Sequence, residues 1–377
     1  MRKYYLGLNA GGPKIRETLF ARGTDKDLRD LSELLAGKYQ GAPILTKNGR
    51  SALCLALKAY LEPGDKVLIN AFTCYAVYEA VVEAGMTPIF ADISKKDLNF
   101  DLGTLKRMLE KKGNRIRGII VQNSLGNAID MEALEELTKK HGVTIVEDLA
   151  HSAGIKYYDG REAGTVGVAT VLSFGKDKAI NSISGGAVVL RAPQKHQIEA
   201  PAEAPRLSDT LRARFYPLLT MCSRGLNYIH LGGVMMRFFQ MIHWVEKSAD
   251  NKLDLRRRLN KFQARIAINQ IKKFYHRGQP VLREFYFVRE RDEVLKKLRG
   301  AGYFFDSFWY EKPVSPARYY ADVQFPEKNC PVAMEVTSQI INFPKYYSVK
   351  ELKKAHEIIK PYLIKDDGWQ SLTGVGK

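Results

Sequence analysis

The sequence predicts an α/β protein built on a mostly parallel sheet, and three observations carry that expectation. Six apolar, β-like runs follow one another: KVLINAF, TPIFADI, GIIVQNS, VTIVEDL, ATVLSF and GAVVLRA. Stretches with apolar residues at helical spacing, such as SALCLALKAYL and MEALEELTKKHG, lie among them, and the second closes in Lys, His and Gly as a helix C-terminus should. Several runs are apolar at consecutive positions, the pattern of strands covered by helices on both faces.

Length and composition suit that class. The 377 residues allow two to three units by size. At 45% hydrophobic and 27% charged residues, the balance excludes a disordered, fibrous or membrane-embedded chain. Cys54, Cys74, Cys222 and Cys330 are widely spaced without a CxxC pair, so neither a zinc site nor a disulfide framework is expected. The segment MRKYYLGLNAGGPKIRETLF lacks the apolar core of a secretory signal, which together with the cysteines predicts a cytoplasmic protein. Net charge is +18, and residues 191–300 hold 23 Lys and Arg against 10 Asp and Glu. Such a field attracts nucleic acid, anionic lipid or a phosphate-bearing small substrate. No helix-turn-helix or similar motif is present, so nucleic acid is not an expected partner.

Along the chain, residues 1–43 form an N-terminal helical arm, 44–190 the large α/β domain, 191–280 a basic helical insertion or linking region, and 281–377 a small α+β domain. The insertion opens where Pro193, Pro201 and Pro205 break regularity. Within it, YIHLGGVMMRFFQMIHWV (228–245) is apolar but carries Arg237, His230 and His243, a poor membrane span. Its two readings are a helix buried against protein and a helix lying on a membrane surface, which leaves peripheral membrane contact open. The last domain reads as helix (VLREFYFVRERDEVLKKLRGAG), two β-like pieces (YFFDSFWY and SQIINFP) and a closing helix (SVKELKKAHEIIKPYL).

Four motifs at strand ends or helix starts can converge at the carboxyl edge of the sheet. In TKNGRSALCLAL, Gly49 allows close backbone approach, and the helix opening at Arg50 and Ser51 presents free amides for a phosphate, or is an ordinary capped helix. In VEDLAHSAG, Asp148 at the end of VTIV points a carboxylate into the cleft, where a protonated ring nitrogen, a magnesium ion or a helix N-cap accounts for it. His151 follows as a possible donor to a phenolic oxygen or a rim residue. In VLSFGKDKAINSISGGAVVL, Lys176 or Lys178 offers an amine that burial and neighbouring charge can keep neutral, and a solvated lysine pair is the plainer account. In INAFTCYAVYEAV, a strand end delivers Thr73, Cys74 and Tyr75 to the same edge, for ring packing or for core packing and a helix cap.

Taken in this order and spacing, these stretches resemble the DegT-type sugar aminotransferases, a branch of the fold-type I pyridoxal phosphate enzymes. The likeness runs over about 44–190 and resumes at RRRLNKFQARIAINQI and CPVAMEVTSQIINFP. It implies a large domain with a mostly parallel seven-stranded sheet between helices, a smaller α+β C-terminal domain, and a homodimer whose active site is shared between subunits. NGRSALCLAL matches the phosphate-cradling motif, through Gly49, Arg50 and Ser51. VEDLAH places Asp148 on the pyridine nitrogen and His151 near the phenolic oxygen. In SFGKDK the family's cofactor lysine lies five residues after the serine, which selects Lys178 over Lys176 and gives Ser173 a phosphate contact. Asn123, in VQNSLG, falls in a strand-end motif near the ring.

Three departures accompany the likeness. Cys74 stands where the family commonly has an aromatic residue, with Tyr75 beside it as a substitute. Family members reach across the dimer with an Asn, and counting places Arg256 there, with Asn260 as second choice. The segment 191–255 is longer and more aromatic than the family norm. The resemblance implies an aminotransferase in which pyridoxal 5'-phosphate, held by Lys178 as a Schiff base, passes an amino group by ping-pong kinetics from glutamate to a nucleotide-linked keto-sugar. Lys178 also argues against the related dehydratases, which carry His there. The competing expectation is a non-catalytic relic that binds an anionic membrane or nucleic acid through its basic insertion.

Overall fold

The computed structural model describes residues 13–226, 229, 231–246, 251–276, 283–303, 309–344 and 349–364. Helices α1 (Ile15–Leu19) and α2 (Asp25–Tyr39) come first. Thr24 caps α2: its hydroxyl accepts from the Asp27 amide, and the Asp27 carboxylate reaches back to the Thr24 amide at 2.7 Å. Leu31, Leu35 and Tyr39, spaced by four, form the buried stripe of this helix.

The chain then lays down β1 (Ala42–Thr46), α3 (Gly49–Tyr60), β2 (Lys66–Asn70), the short β3 (Thr73–Cys74) and α4 (Tyr75–Glu83). It continues through β4 (Thr87–Ala91), α5 (Leu102–Glu110), β5 (Ile116–Val121), α6 (Met131–His141), β6 (Thr144–Asp148), β7 (Ala169–Ser173) and β8 (Gly186–Leu190). The seven-stranded sheet has the order β1-β8-β7-β6-β5-β2-β4. Strands β7, β6, β5, β2 and β4 run parallel, while β8 pairs antiparallel with both β7 and β1. All six β-like runs of the sequence are strands. The seventh, APILT, carries Pro43 and lies on the sheet edge, where a missing amide is tolerated.

Strand alternation divides the core in two. Val67, Ile69, Ile120, Val146, Val171 and Val188 pack with α3 and α4 on one face. Leu68, Ile119, Val121, Ile145, Leu172 and Val189 pack with α2, α5 and α6 on the other. The same alternation separates the two acids that end β6. Glu147 accepts from the Tyr157 hydroxyl (2.7 Å) and from the amides of Gly164 (2.6 Å), Val166 (2.8 Å) and Gly167 (2.6 Å). That carboxylate organises the loop between β6 and β7, and Asp148 is left to the opposite side.

After the sheet come α7 (Leu207–Leu226), α8 (Gly232–Met241) and α9 (Lys261–His276). Leu259, Ala264, Ala267 and Ile271 join the core of Leu31 and Leu35, so the end of the 191–280 stretch packs as an outer layer of the large domain. Helices α7 and α8 pack on each other around Tyr216 and Met236. Residues 228 and 230 of the apolar stretch lie outside the described residues; among those described, no helix is long and apolar enough to cross a membrane.

The final unit contains β9 (Arg283–Phe287), α10 (Arg291–Gly300), β10 (Val314–Ser315), α11 (Pro331–Gln339), β11 (Ile340–Pro344) and α12 (Val349–Ile359). One expectation is corrected here. REFYF, read as the start of a helix, is a strand antiparallel to β11, and the helix begins only at Arg291. Its aromatic residues suit a pleated surface, and β11 supplies the hydrogen-bonding partner. Of the expected β-like piece YFFDSFWY, residues 304–308 lie outside the described residues. Strand β10 pairs parallel with β3, tying this unit to the sheet's carboxyl edge.

Replacing Glu147 by Ala strips one buried phenol, two buried amides and one half-buried amide of their acceptor. Unfolding by urea should show a loss of at least about 3 kcal/mol. A loss below about 1 kcal/mol would mean that water takes over the carboxylate's role.

Candidate active site

A cavity of about 350 Å³ opens at the carboxyl edge of the sheet, bounded by the start of α3, the ends of β6 and β7, the loop between β7 and β8, helices α7 and α8, and residues 309–318. Parallel strands end their carbonyl rows here and helices begin here, so the edge is rich in backbone groups able to meet a ligand.

One wall depends on two close approaches. A β-carbon at Gly49 would lie 2.8 Å from the Ser173 β-carbon, and one at Gly186 would lie 2.5 Å from the Asn48 carbonyl carbon. Asn48 caps α3, its side-chain oxygen accepting from the Ser51 amide at 2.9 Å and the Ser51 hydroxyl at 3.0 Å. The first turn of α3 is thereby pressed onto the end of β7, with Gly49 and Ser173 both lining the cavity. Arg50 lines it as well; its guanidinium pairs with Glu79 and donates to the Asn251 carbonyl.

Asp148, buried at 6% exposure, forms the floor. Its carboxylate accepts from the Ala150 amide at 3.0 Å. Burial pushes its carboxyl above the ordinary value, against the pull of that amide and of the Lys178 ammonium. His151, also buried, is held well below the usual histidine value by burial first and then by the charges of Lys178 and Arg283. Its ring stacks on Trp309, with centroids 4.8 Å apart. Burial pushes the Cys74 thiol up, and Lys178 draws it back.

The two lysines diverge. Lys176 donates to the Glu246 carbonyl and lies 4.5 Å from the centre of the Tyr216 ring, turned toward α7. Lys178 lies 5.0 Å from the centre of the Trp309 ring, and its charge acts on Asp148, His151 and Cys74.

Of the residues singled out from the sequence, Gly49, Arg50, Cys74, Asp148, His151, Ser173, Lys176 and Lys178 meet around this cavity. Four others are elsewhere. The Ser51 hydroxyl also accepts from the Asp254 amide at 3.0 Å, pinning that segment to α3. Tyr75 stacks on Tyr319 at 4.5 Å, outside the lining, so it does not take the ring-packing place beside Cys74. Asn123 donates to the Tyr157 hydroxyl (3.2 Å) and accepts from the Ile129 amide (3.0 Å), shaping the turn after β5. Arg256 is exposed and does not line the cavity of its own chain.

Trp309, Tyr310, Gln122, Tyr216 and Arg318 also line the cavity and were not singled out. Tyr310 stacks on Phe72 at 3.7 Å, and its hydroxyl approaches His151 Nδ1 at 3.5 Å. The aromatic cluster SFWY was the only signal for Trp309 and Tyr310.

A family model for the DegT/DnrJ/EryC1/StrS aminotransferases matches residues 33–360. The chain belongs to that family. It is therefore a pyridoxal phosphate-dependent aminotransferase, with the fold-type I architecture expected. A pleiotropic regulatory protein of Geobacillus stearothermophilus is 24% identical over 318 residues, 83% of this chain and 82% of the relative. The UDP-N-acetyl-3-dehydro-alpha-D-glucosamine 3-aminotransferase of Acidithiobacillus ferrooxidans is 25% identical over 312 residues, 81% and 79% of the two chains. Among solved structures, a sugar aminotransferase of Streptococcus pneumoniae in its pyridoxamine phosphate form superposes with a TM-score of 0.66 at 16% identity, over 95% of this chain and 97% of that one.

The buried, neutral His151 has a stability consequence. Its folded-state value lies below the unfolded value of about 6.5, so the unfolded chain takes up a proton first as pH falls. The contribution is complete above about pH 6.5 and declines below it by up to about 1.4 kcal/mol per pH unit. Urea unfolding at stepped pH should show that decline, and His151→Gln should flatten it by about one proton. An unchanged slope in the variant would exclude His151 as its source.

Proposed function

We propose that this chain moves an amino group from an amino acid, glutamate foremost, to a nucleotide-linked keto-sugar, with pyridoxal phosphate attached to the Lys178 amine. The observation that carries this reading is the divergence of the two lysines: both line the cavity, but the Lys176 amine turns to the Glu246 carbonyl and the Tyr216 ring, while the Lys178 charge acts on Asp148, His151 and Cys74. The cofactor, when bound, supplies an electron sink for the proton transfer at the donor's α-carbon.

The residues around the cavity fit that group. The absence of a side chain at Gly49 leaves the first amides of α3 and the Ser173 hydroxyl open to a phosphate. Asp148 is a desolvated carboxylate whose raised pKa a cationic ring nitrogen would bring down. Neutral His151 can exchange one hydrogen bond with a ring oxygen while holding its face against Trp309. With the cofactor bound, the Lys178 amine would be the group that takes the proton from the donor's α-carbon. Donor and acceptor would occupy this cavity in turn, the first product leaving before the second substrate enters, and the kinetics would be ping-pong.

Support for a nucleotide sugar comes from the Acidithiobacillus relative, whose name specifies such an acceptor. Arg318 at the cavity wall is suited to a diphosphate. The exposed Arg256 is available to a neighbouring subunit in a homodimer. Asn260 is occupied within its own chain, donating to the Thr210 hydroxyl at 2.7 Å and accepting from the Phe262 amide at 3.2 Å.

Borohydride treatment followed by peptide mapping should place a pyridoxyl label on Lys178; a label on Lys176 overturns the assignment. Lys178→Ala should lower amino transfer by at least about 1000-fold while leaving the circular dichroism unchanged. With glutamate and a panel of nucleotide keto-sugars, double-reciprocal plots should be parallel. Intersecting lines, or inactivity with every pair, would sink the proposed reaction.

A further inference from the structure

Helix α8 carries two opposed apolar faces, and only one is explained by the fold. Gly232 and Met236 are buried, and Met236 packs with Ala213, Tyr216, Val245 and Phe262. At about 100° per residue, Leu231, Val234, Phe238, Met241 and Ile242 fall together on an arc of roughly 100°. They are exposed, with Val234 at 61%, Phe238 at 52% and Met241 at 70%. On the neighbouring α7, Met221 is also 50% exposed. Contiguous side chains of this size facing outward mark an interaction surface.

Charge indicates what covers it. From Thr210 to Val245 the sequence contains four arginines and no Asp or Glu. Arg212 pairs with Asp209 and Glu246, and Arg214 donates to the carbonyls of Thr18, Leu19 and Ala21, which among the described side chains leaves the local charge at the crest to Arg237. Arg237, exposed, borders the apolar arc. A second copy of the chain, itself at +18, would bring a second Arg237 and a second positive field against this crest. An anionic surface with an apolar interior answers both features. Ten residues of helix span roughly 15 Å, half the depth of a bilayer's hydrocarbon core, so α8 suits lying along a surface rather than crossing it.

We infer that the α7–α8 crest docks this enzyme on an anionic phospholipid bilayer, with Leu231, Val234, Phe238, Met241 and Ile242 entering the headgroup boundary and Arg237 meeting lipid phosphate. The same helices contribute Tyr216 and Gln240 to the wall of the catalytic cavity. Docking therefore holds that cavity beside the membrane. The inference depends on the fold and the exposed crest, not on the identity of the amino acceptor.

The test uses cofactor-loaded protein with phosphatidylcholine vesicles, with and without phosphatidylglycerol, followed by sedimentation. Binding should be at least about tenfold stronger with phosphatidylglycerol and weaken several-fold between about 50 and about 300 mM salt. The double variant Phe238→Glu, Met241→Glu should lose about tenfold or more of that binding, and Arg237→Glu should weaken it, with cofactor absorbance unchanged in both. Equal binding by wild type and the double variant, or no binding by wild type, overturns the inference. So does a change of oligomeric mass in the double variant by light scattering, which would make the crest a subunit contact. Failure of the proposed amino transfer would appear in the borohydride map and the kinetics, neither of which this experiment reads.

Discussion

The arrangement of this protein depends on one steric constraint: the first turn of α3 must lie directly on the ends of β7 and β8. Gly49 meets Ser173 and Gly186 meets Asn48 at distances where a β-carbon would collide. Contact that close brings helix amides and a serine hydroxyl into one wall, which neither element could form alone. It also fixes Ser51, whose hydroxyl holds the Asp254 amide, and so sets the path of the segment leading into α9. Position within the site is in this sense inherited from packing between backbones.

Electrostatics follows from the period of a strand. Glu147 and Asp148 are adjacent in sequence, yet they leave β6 on opposite faces and have opposite fates. Glu147 is satisfied by four donors and serves the fold. Asp148 accepts a backbone amide two residues on and is otherwise desolvated in the cavity, where Lys178 supplies the nearby positive charge. His151 stays neutral because the same burial that strains Asp148 opposes a second cation next to Lys178. One burial thus pushes the Asp148 carboxyl up and the His151 imidazole down within a single small volume.

Much of this was legible in the sequence, and the reasons are local. Asp148, Ser173 and Lys178 follow strands whose apolar runs announce where the sheet edge lies, and Gly49 precedes a helix with clear apolar spacing. Tyr75, Asn123 and Ser51 occupy equally suggestive positions, but their side chains are taken by Tyr319, Tyr157 and Asp254 through contacts distant in sequence or set by turn geometry. Trp309 and Tyr310 reach the cavity because β10 pairs with β3 across some 240 residues, a connection that periodicity cannot register. REFYF misled for a related reason: a short run of two charged residues and three aromatics has no period of its own and suits strand or helix until its partner β11 is known.

The α7–α8 pair joins these two kinds of information. Its inward face is ordinary packing, with Tyr216 and Met236 at the centre of a small core. Its outward face has the same apolar spacing and no partner within the described residues, so amphipathicity alone cannot say which stripe is core. Burial resolves that question by assigning Met236 inward and Phe238 outward. Tyr216 and Gln240 belong to the same helices and to the catalytic cavity, so the outer stripe lies on the back of a wall of the active site. The insertion is thus more than a charged appendage: α7, α8 and the segment that follows them contribute Tyr216, Gln240, Val245, Glu246 and Asn251 to the cavity wall.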